Sequence, residues 1–250
     1  MRPGSLVNPS DAAPAPTLAS FPAGGIAVVF GAGGGIGGAL LARLREEPAF
    51  SAAIGFGRSS LPPIDLEDES SLARAAAKAA EAGPLRLVID ATGFLHDARQ
   101  GPEKSWRELD AADLARAFAL NATGPALIMK HVLPLLPQAG KAVFATLSAR
   151  VGSIGDNRLG GWYGYRASKA ALNQIVRTAA IEQRRRWPEA LCLALHPGTV
   201  ETPLSSRFTR DRMTIQSPAE AAARLLAVLD RLGPADSGGF FDHHGASIPW

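Results

Sequence analysis

Tyr165 and Lys169 stand four residues apart in the stretch Tyr163-Gly-Tyr-Arg-Ala-Ser-Lys-Ala-Ala-Leu-Asn173. Helical spacing sets such a pair side by side on one face. Ala170, Ala171, Leu172, Ile175, Val176 and Ala179 supply a broad apolar face, so the pair belongs to the start of an amphipathic helix. A free phenol ionises near pH ~10. A neighbouring ammonium favours the phenolate and draws that value down. A phenol tuned in this way gives or takes a proton near neutrality, which is the transfer that interconversion of a carbonyl and an alcohol requires. Tyr-x-x-x-Lys also arises by chance as an exposed pair, so the inference depends on what accompanies it.

A second stretch can handle phosphate. Ile26–Phe30 reads as a short buried strand, and Gly31-Ala-Gly33-Gly34-Gly35-Ile36-Gly37 follows at once, leading into a helical run from Gly38 to Arg45. Strand, glycine turn and helix form the setting of a dinucleotide fingerprint. Glycines there let the backbone approach a pyrophosphate, and the helix start offers N–H donors and the positive end of its dipole. The spacing Gly31-x-x-x-Gly35-x-Gly37 differs from the commoner G-x-G-x-x-G. The next strand, Ser51–Phe56, ends at Gly57-Arg58-Ser59-Ser60. An acid at this place would bind the ribose hydroxyls of NAD. Arg58 with Ser59 suits a 2′-phosphate instead, which favours NADP. Asp65 either approaches the adenine edge or caps a turn.

The positioning elements alternate. Helix is expected from about Asp68 to Ala82, strand over Leu85–Ile89, loop over 94–109, and helix from Ala111 to Leu136 broken at Gly124-Pro125 with Asn121 inside it. Asn is unfavourable in a helix interior unless it has a partner, such as a water or a backbone carbonyl. Ala142–Leu147 is a strand with Ser148 at its C-terminal end, where ligands bind in an open α/β sheet. Ser153, in the glycine-rich loop before Trp162, is the rival serine. Leu191–Leu195 is a further strand, 203–217 a polar segment suited to a lid with Arg207, Arg210 and Arg212, Ala219–Arg231 a helix, and Gly238–Phe241 a last strand. The expected fold is a single-domain Rossmann fold, a doubly wound parallel sheet of about seven strands with helices on both faces, over 25–250. Residues 1–24, rich in Pro, Ala, Ser and Gly, read as a flexible arm with no convincing signal peptide.

Composition narrows the classes. The 250 residues are 46% hydrophobic and 20% charged, with a formal net charge of only +3. The densest basic run, Arg184–Arg186, closes the long helix and reads as a solvated helix end, so no nucleic-acid partner is expected. A single cysteine, Cys192, lies within an apolar strand and excludes an intrachain disulfide. No apolar run reaches transmembrane length, so no membrane partner and a cytoplasmic location are expected. His196, ending a strand before Pro197, reads as structural. His243 and His244 would point apart on a strand, and His131 would pack on its helix; no metal is expected.

Taken in order, Gly31-x-x-x-Gly35-Ile36-Gly37, Asn121, Ser148, Tyr165-x-x-x-Lys169 and Pro197-Gly198 resemble the short-chain dehydrogenase/reductase family over about residues 25–250. Ser148–Ile154, Asp156–Trp162 and His196-Pro-Gly-Thr-Val200 are most similar to its C-factor-like and Sniffer-like carbonyl reductases. Three departures stand out: Phe30 for the usual Thr, Asp90-Ala91-Thr92-Gly93 for Asn-Asn-Ala-Gly, and a longer gap from Ser148 to Tyr165. The resemblance implies Tyr165 as acid/base, Lys169 lowering its pKa and binding the nicotinamide ribose, Ser148 on the substrate oxygen, and Asn121 holding a relay water. It implies further NADP contacts from Ala91, Thr92, Gly93, Pro197, Gly198, Val200 and Thr202. It also implies a small carbonyl or alcohol substrate and a homodimer or homotetramer built through the Tyr165 helix. A C-factor-like signalling or regulatory protein on the same fold is the alternative.

Overall fold

Six short apolar runs pair in parallel throughout: β1 (Gly25–Phe30), β2 (Phe50–Phe56), β3 (Leu85–Asp90), β4 (Ala142–Leu147), β5 (Ala190–His196) and β6 (Phe240–Asp242). Their spatial order is β2-β1-β3-β4-β5-β6 in the computed structural model, which describes residues 18–202 and 215–250. The helices are α1 (Gly35–Glu46), α2 (Glu69–Glu81), α3 (Ala111–Phe118), α4 (Gly124–Val132), α5 (Tyr163–Gln183) and α6 (Pro218–Arg231). The expected single Rossmann layer arrangement is therefore present.

Strand alternation sorts the interior into two cores. Ile26, Val28 and Phe30 join Phe144, Cys192, Leu72, Val132 and Val176 on the face covered by α2, α4 and α5. Ala27 and Val29 join Val143, Leu193, Leu40, Leu44 and Leu225 on the face covered by α1 and α6. Burial on both faces is why these strands read as nearly continuous apolar runs. Each large side chain so buried contributes about 1.5–3 kcal/mol.

The sheet has six strands where about seven were expected. Only 57–68 separates β2 from α2, too little chain for a crossover helix and another strand. Pro62 and Pro63 also lack the N–H groups a strand ladder needs. The segment instead folds on itself, with the Ile64 N–H donating to the Gly57 carbonyl at 3.1 Å. β2 thus forms one edge of the sheet among the described strands.

Two further expectations shift. The break in the helix after Ala111 lies at a π-turn, Ala119–Thr123, ahead of Gly124-Pro125, and Pro125 sits in the first turn of α4. Pro125 has no N–H to give the Asn121 carbonyl four residues back, and widening the turn accommodates that loss. Packing also begins before Gly25: Leu18 and Phe21 are buried, and the Phe21 ring meets Phe50 edge-on at 5.6 Å. Residues 1–17 of the expected arm, and 203–214 of the expected lid with its three arginines, lie outside the described residues.

Candidate active site

The chain leaves β1 to build β2 on one side, then returns to place β3 on the other. That reversal opens a crevice at the C-terminal ends of β1 and β3, the usual ligand position in such sheets. Gly31 turns the chain there with φ +81°. A Cβ on Gly31 would lie 2.8 Å from the Ala91 carbonyl and 2.9 Å from the Thr92 nitrogen, so this turn is pressed against the end of β3. A Cβ on Gly37 would lie 2.2 Å from the Gly31 oxygen. Gly33 and Gly34 are exposed, and Gly33 faces open space. α1 starts after Gly34 with no side-chain cap and no acid in its first turn, while Ile36 packs against the core. Its first N–H groups and positive dipole end are therefore suited to an anion.

Of the other expected cofactor residues, Thr202 and the end of β2 lie against this cradle, as Ala91 and Thr92 do. A Cβ on Gly35 would lie 2.8 Å from the Thr202 methyl, so Thr202 borders the turn. A Cβ on Gly57 would lie 3.4 Å from the Gly33 nitrogen, which brings the β2 end carrying exposed Arg58 and Ser59 beside it. Ser60 is occupied locally, accepting from the Gly57 N–H at 2.9 Å and donating to the Pro62 carbonyl at 2.6 Å. Asp65 caps its own turn, accepting from the Glu67 N–H at 3.0 Å. Pro197 accepts from Gln216 Nε2 at 3.2 Å, Gly198 turns with φ +80°, and buried Val200 bridges to Gln216. This glycine cradle suits the pyrophosphate of a dinucleotide, and the exposed Arg58 at the end of β2 stands near its rim.

The four expected catalytic residues lie about the ends of β3 and β4. Lys169 is buried and donates from Nζ to the Leu147 carbonyl at 2.8 Å. A Cβ on Gly93 would lie 3.7 Å from Lys169 Nζ and 3.8 Å from Asn121 Oδ1, which puts these three residues together. Lys169 Nζ lies 6.0 Å from the centre of the Tyr165 ring, and the Trp162 ring meets that ring edge-on at 6.1 Å. Burial pushes the phenol up to about 12 and the Lys169 ammonium down to about 8, the latter against the opposing charge of Asp90. The expected lowering of the phenol is thus absent from this arrangement: removal from water outweighs an ammonium that is itself turned to a carbonyl. Asp90, standing where the family has Asn, is fully buried and pushed up by that burial, although Thr146 and Thr92 hydroxyls each donate to it at 2.6 Å.

Asn121 sits in the π-turn with both ends of its amide engaged. Oδ1 accepts from the Phe94 N–H and Nδ2 donates to the Phe94 carbonyl, each at 2.8 Å, and Nδ2 also reaches Ser168 Oγ at 3.2 Å. It straps the loop after β3 to α5. Ser148 is buried, and its hydroxyl donates to Asn173 Oδ1 at 2.6 Å. Ser153 is also buried, but its hydroxyl accepts from the Asp156 N–H at 3.1 Å and shapes the loop. Asn173 carried no role in the sequence; its one signal was its place four residues beyond Lys169, on the same helix face.

The remaining candidates stand apart. Burial pushes His196 down to about 4, helped by Arg150 and His243. His243 and His244 follow β6 in a turn, with rings 4.1 Å apart, so they do not point apart as on a strand. His131 lies 3.0 Å from Glu69 on α2, an inter-helix contact. Among the described residues no group of three or more His, Cys, Asp or Glu could hold a metal ion. Arg184, Arg185 and Arg186 are exposed at the end of α5.

The sequence profile described as enoyl-(acyl carrier protein) reductase matches residues 39–233. The chain is 36% identical over 169 residues to C-signal of Myxococcus xanthus, covering 67% of this chain and 94% of that one. It is 33% identical over 190 residues to 1-hydroxy-2-glutathionyl-2-methyl-3-butene dehydrogenase of Rhodococcus sp. (strain AD45), covering 76% and 79%. Among solved structures, an NADPH-bound carbonyl reductase from chicken fatty liver superposes with TM-score 0.79 at 25% identity, covering 92% of this chain and 95% of that one. The carbonyl reductase Sniffer of D. melanogaster shares the fold, with TM-score 0.77 at 20% identity over 91% of this chain and 100% of that one.

Proposed function

The chain belongs to the short-chain dehydrogenase/reductase family, and on that premise we propose that it is an NADP-dependent oxidoreductase interconverting a carbonyl and an alcohol. The observation that carries this reading is the convergence of Gly93, Asn121 and Lys169 beside Tyr165, with Ser148 at the end of the neighbouring strand. The NADPH-bound carbonyl reductase with the same fold supports it. The nicotinamide supplies or accepts hydride. The protein holds and moves the proton. Tyr165, protonated at neutral pH as any phenol is and pushed further up by burial, donates to the carbonyl oxygen in reduction and takes the proton back in oxidation. Ser148 turns its hydroxyl from Asn173 to the same oxygen. Lys169 supplies positive charge next to the phenol and binds the ribose. The Asn121 carbonyl, deprived of its ordinary helical donor by Pro125, accepts from the relay water.

NADP is preferred because Arg58 stands where an acid would select NAD. Gly31, Gly33–Gly37, Ala91–Gly93, Pro197, Gly198, Val200 and Thr202 line the rest of the cofactor site. The substrate is a small carbonyl or alcohol. The assembly is a homodimer or homotetramer using α5, whose Ile181 is exposed, and light scattering tests it. The proposed location is the cytoplasm; no helix among the described residues is long and apolar enough to cross a membrane. The deciding experiment assays a panel of aldehydes and ketones with NADPH and NADH. Turnover with NADPH that Tyr165→Phe abolishes supports the proposal, and NADH preference sinks the cofactor assignment. Similarity to C-signal keeps a second reading, a signalling or regulatory protein that senses the cofactor. Cofactor binding without turnover of any carbonyl would favour it.

A further inference from the structure

The most buried carboxylate at the start of α5 comes from outside that helix. Glu103, on the loop between β3 and α3, is only 6% exposed. Its carboxylate accepts from the Gly164 N–H, at 3.2 Å to Oε1 and 3.1 Å to Oε2. Its main-chain carbonyl accepts from the Trp162 N–H at 2.5 Å. These bonds bracket Trp162, the one non-glycine with positive φ among the described residues, held at φ 55° and ψ 44°. Trp162 is the residue before α5, and it offers that helix no side-chain cap. A helix start with unsatisfied N–H groups frays, and a negative charge there is favourable. Gly164 is fitted to its visitor: a Cβ on it would lie 2.8 Å from Glu103 Oε1. The next residue is Tyr165.

The loop that delivers Glu103 is itself tied down. Asp97 accepts from the Arg99 and Gln100 N–H groups at 2.8 and 2.9 Å and pairs with Arg116 of α3 at 2.6 Å. From the other side Arg166 donates to the carbonyls of Gly161 at 2.9 Å and of Gly160 and Val151 at 3.2 Å, so the approach to α5 is fixed from both directions.

We propose that Glu103 is a positioning residue for Tyr165: its buried carboxylate supplies the cap that α5 lacks and fixes the first turn from which the phenol projects. The proposal rests on Tyr165 being the acid/base. Glu103 touches no reacting atom; it sets where the phenol stands relative to Ser148 and Lys169. An error of about 1 Å in such a placement costs roughly 10²-fold in rate.

The test uses the full chain with NADPH and 4-nitrobenzaldehyde as probe, comparing Glu103→Ala, Glu103→Gln, Gly164→Ala and Tyr165→Phe. Glu103→Gln keeps an acceptor oxygen without the charge. Glu103→Ala should lose roughly 10²-fold in kcat with NADPH affinity unchanged. Glu103→Gln should recover most of that loss. Gly164→Ala, whose methyl displaces the carboxylate, should reproduce it. Hydrogen exchange over residues 160–166 should quicken in Glu103→Ala and Gly164→Ala and stay slow in Glu103→Gln, whether or not the probe is turned over. Wild-type kcat or unchanged exchange in Glu103→Ala overturns the proposal. So does a Glu103→Gln variant no better than Glu103→Ala with NADPH binding lost in both. If Glu103→Ala does not fold, Gly164→Ala with wild-type kcat and exchange overturns it. Turnover surviving in Tyr165→Phe would instead overturn the acid/base assignment, which separates the two failures.

Discussion

One cause, removal from water, drives Tyr165 and Lys169 in opposite directions, up to about 12 and down to about 8. Each shift has a signature in stability. The Lys169 value lies below the ordinary 10.5, so between about 8 and 10.5 the unfolded chain binds the proton more firmly and this group adds stability as pH rises. The Tyr165 value lies above the ordinary 10.0, so between 10.0 and about 12 the folded chain binds it more firmly and stability falls as pH rises. Urea unfolding at a series of pH values should show Lys169→Met losing the first slope and Tyr165→Phe losing the second. Tyr165→Phe should also cost turnover by the ~10²–10⁴-fold of a lost general acid/base, while Tyr163→Phe stays mild. Ser148→Ala should remove most turnover with NADPH binding intact, and Ser153→Ala should do less, because the Ser153 hydroxyl already serves the Asp156 N–H. The Tyr–Lys pair and the strand-end serine were legible because periodicity and strand position are local properties. Asn173 on Ser148 and Glu103 on Gly164 span 25 and 61 residues, and no local pattern announces such partners.

Among the elements, the turn from β1 to α1 tolerates least. A Cβ on Gly37 would meet the Gly31 oxygen, a backbone atom that cannot swing aside. Gly37→Ala should therefore abolish NADPH binding in a fluorescence titration while the far-ultraviolet spectrum stays native; retained affinity would show that the turn is not the pyrophosphate cradle. Arg58→Asp, at the end of β2, should weaken NADPH more than NADH in the same titration. Strand, turn and helix were readable here because all three signals are contiguous. The π-turn was not: Gly124-Pro125 advertised a break, yet the chain stays helical by absorbing the missing N–H one turn earlier, around Asn121. The edge of the sheet misled for a related reason. An average Rossmann chain has another strand there, and only the short, proline-bearing 57–68 segment argued against it.

Across the whole molecule the two cores share one sheet, so a charge forced into either face is felt by the fold. His196, at the end of β5, is pushed down to about 4 chiefly by burial. Between its ordinary 6.5 and about 4 the unfolded chain binds the proton more firmly, so stability is lost as pH falls through that window. His196→Asn should flatten the decline in denaturant midpoint over that range; an unchanged slope would assign the acid limb to other groups. Cys192 offers a different use of the same burial. It is the chain's one cysteine, fully enclosed in β5 between β4 and β6, with its thiol pushed up to about 12. A thiol-modifying reagent reaches it only when that strand opens. The ratio of its labelling rate to that of a free thiol is then a stopwatch reading of the opening equilibrium. A ligand that binds the closed sheet slows the stopwatch by the factor that mass action dictates. Binding at the strand ends could thus be timed from the middle of the sheet, without a dye, a tag or any turnover.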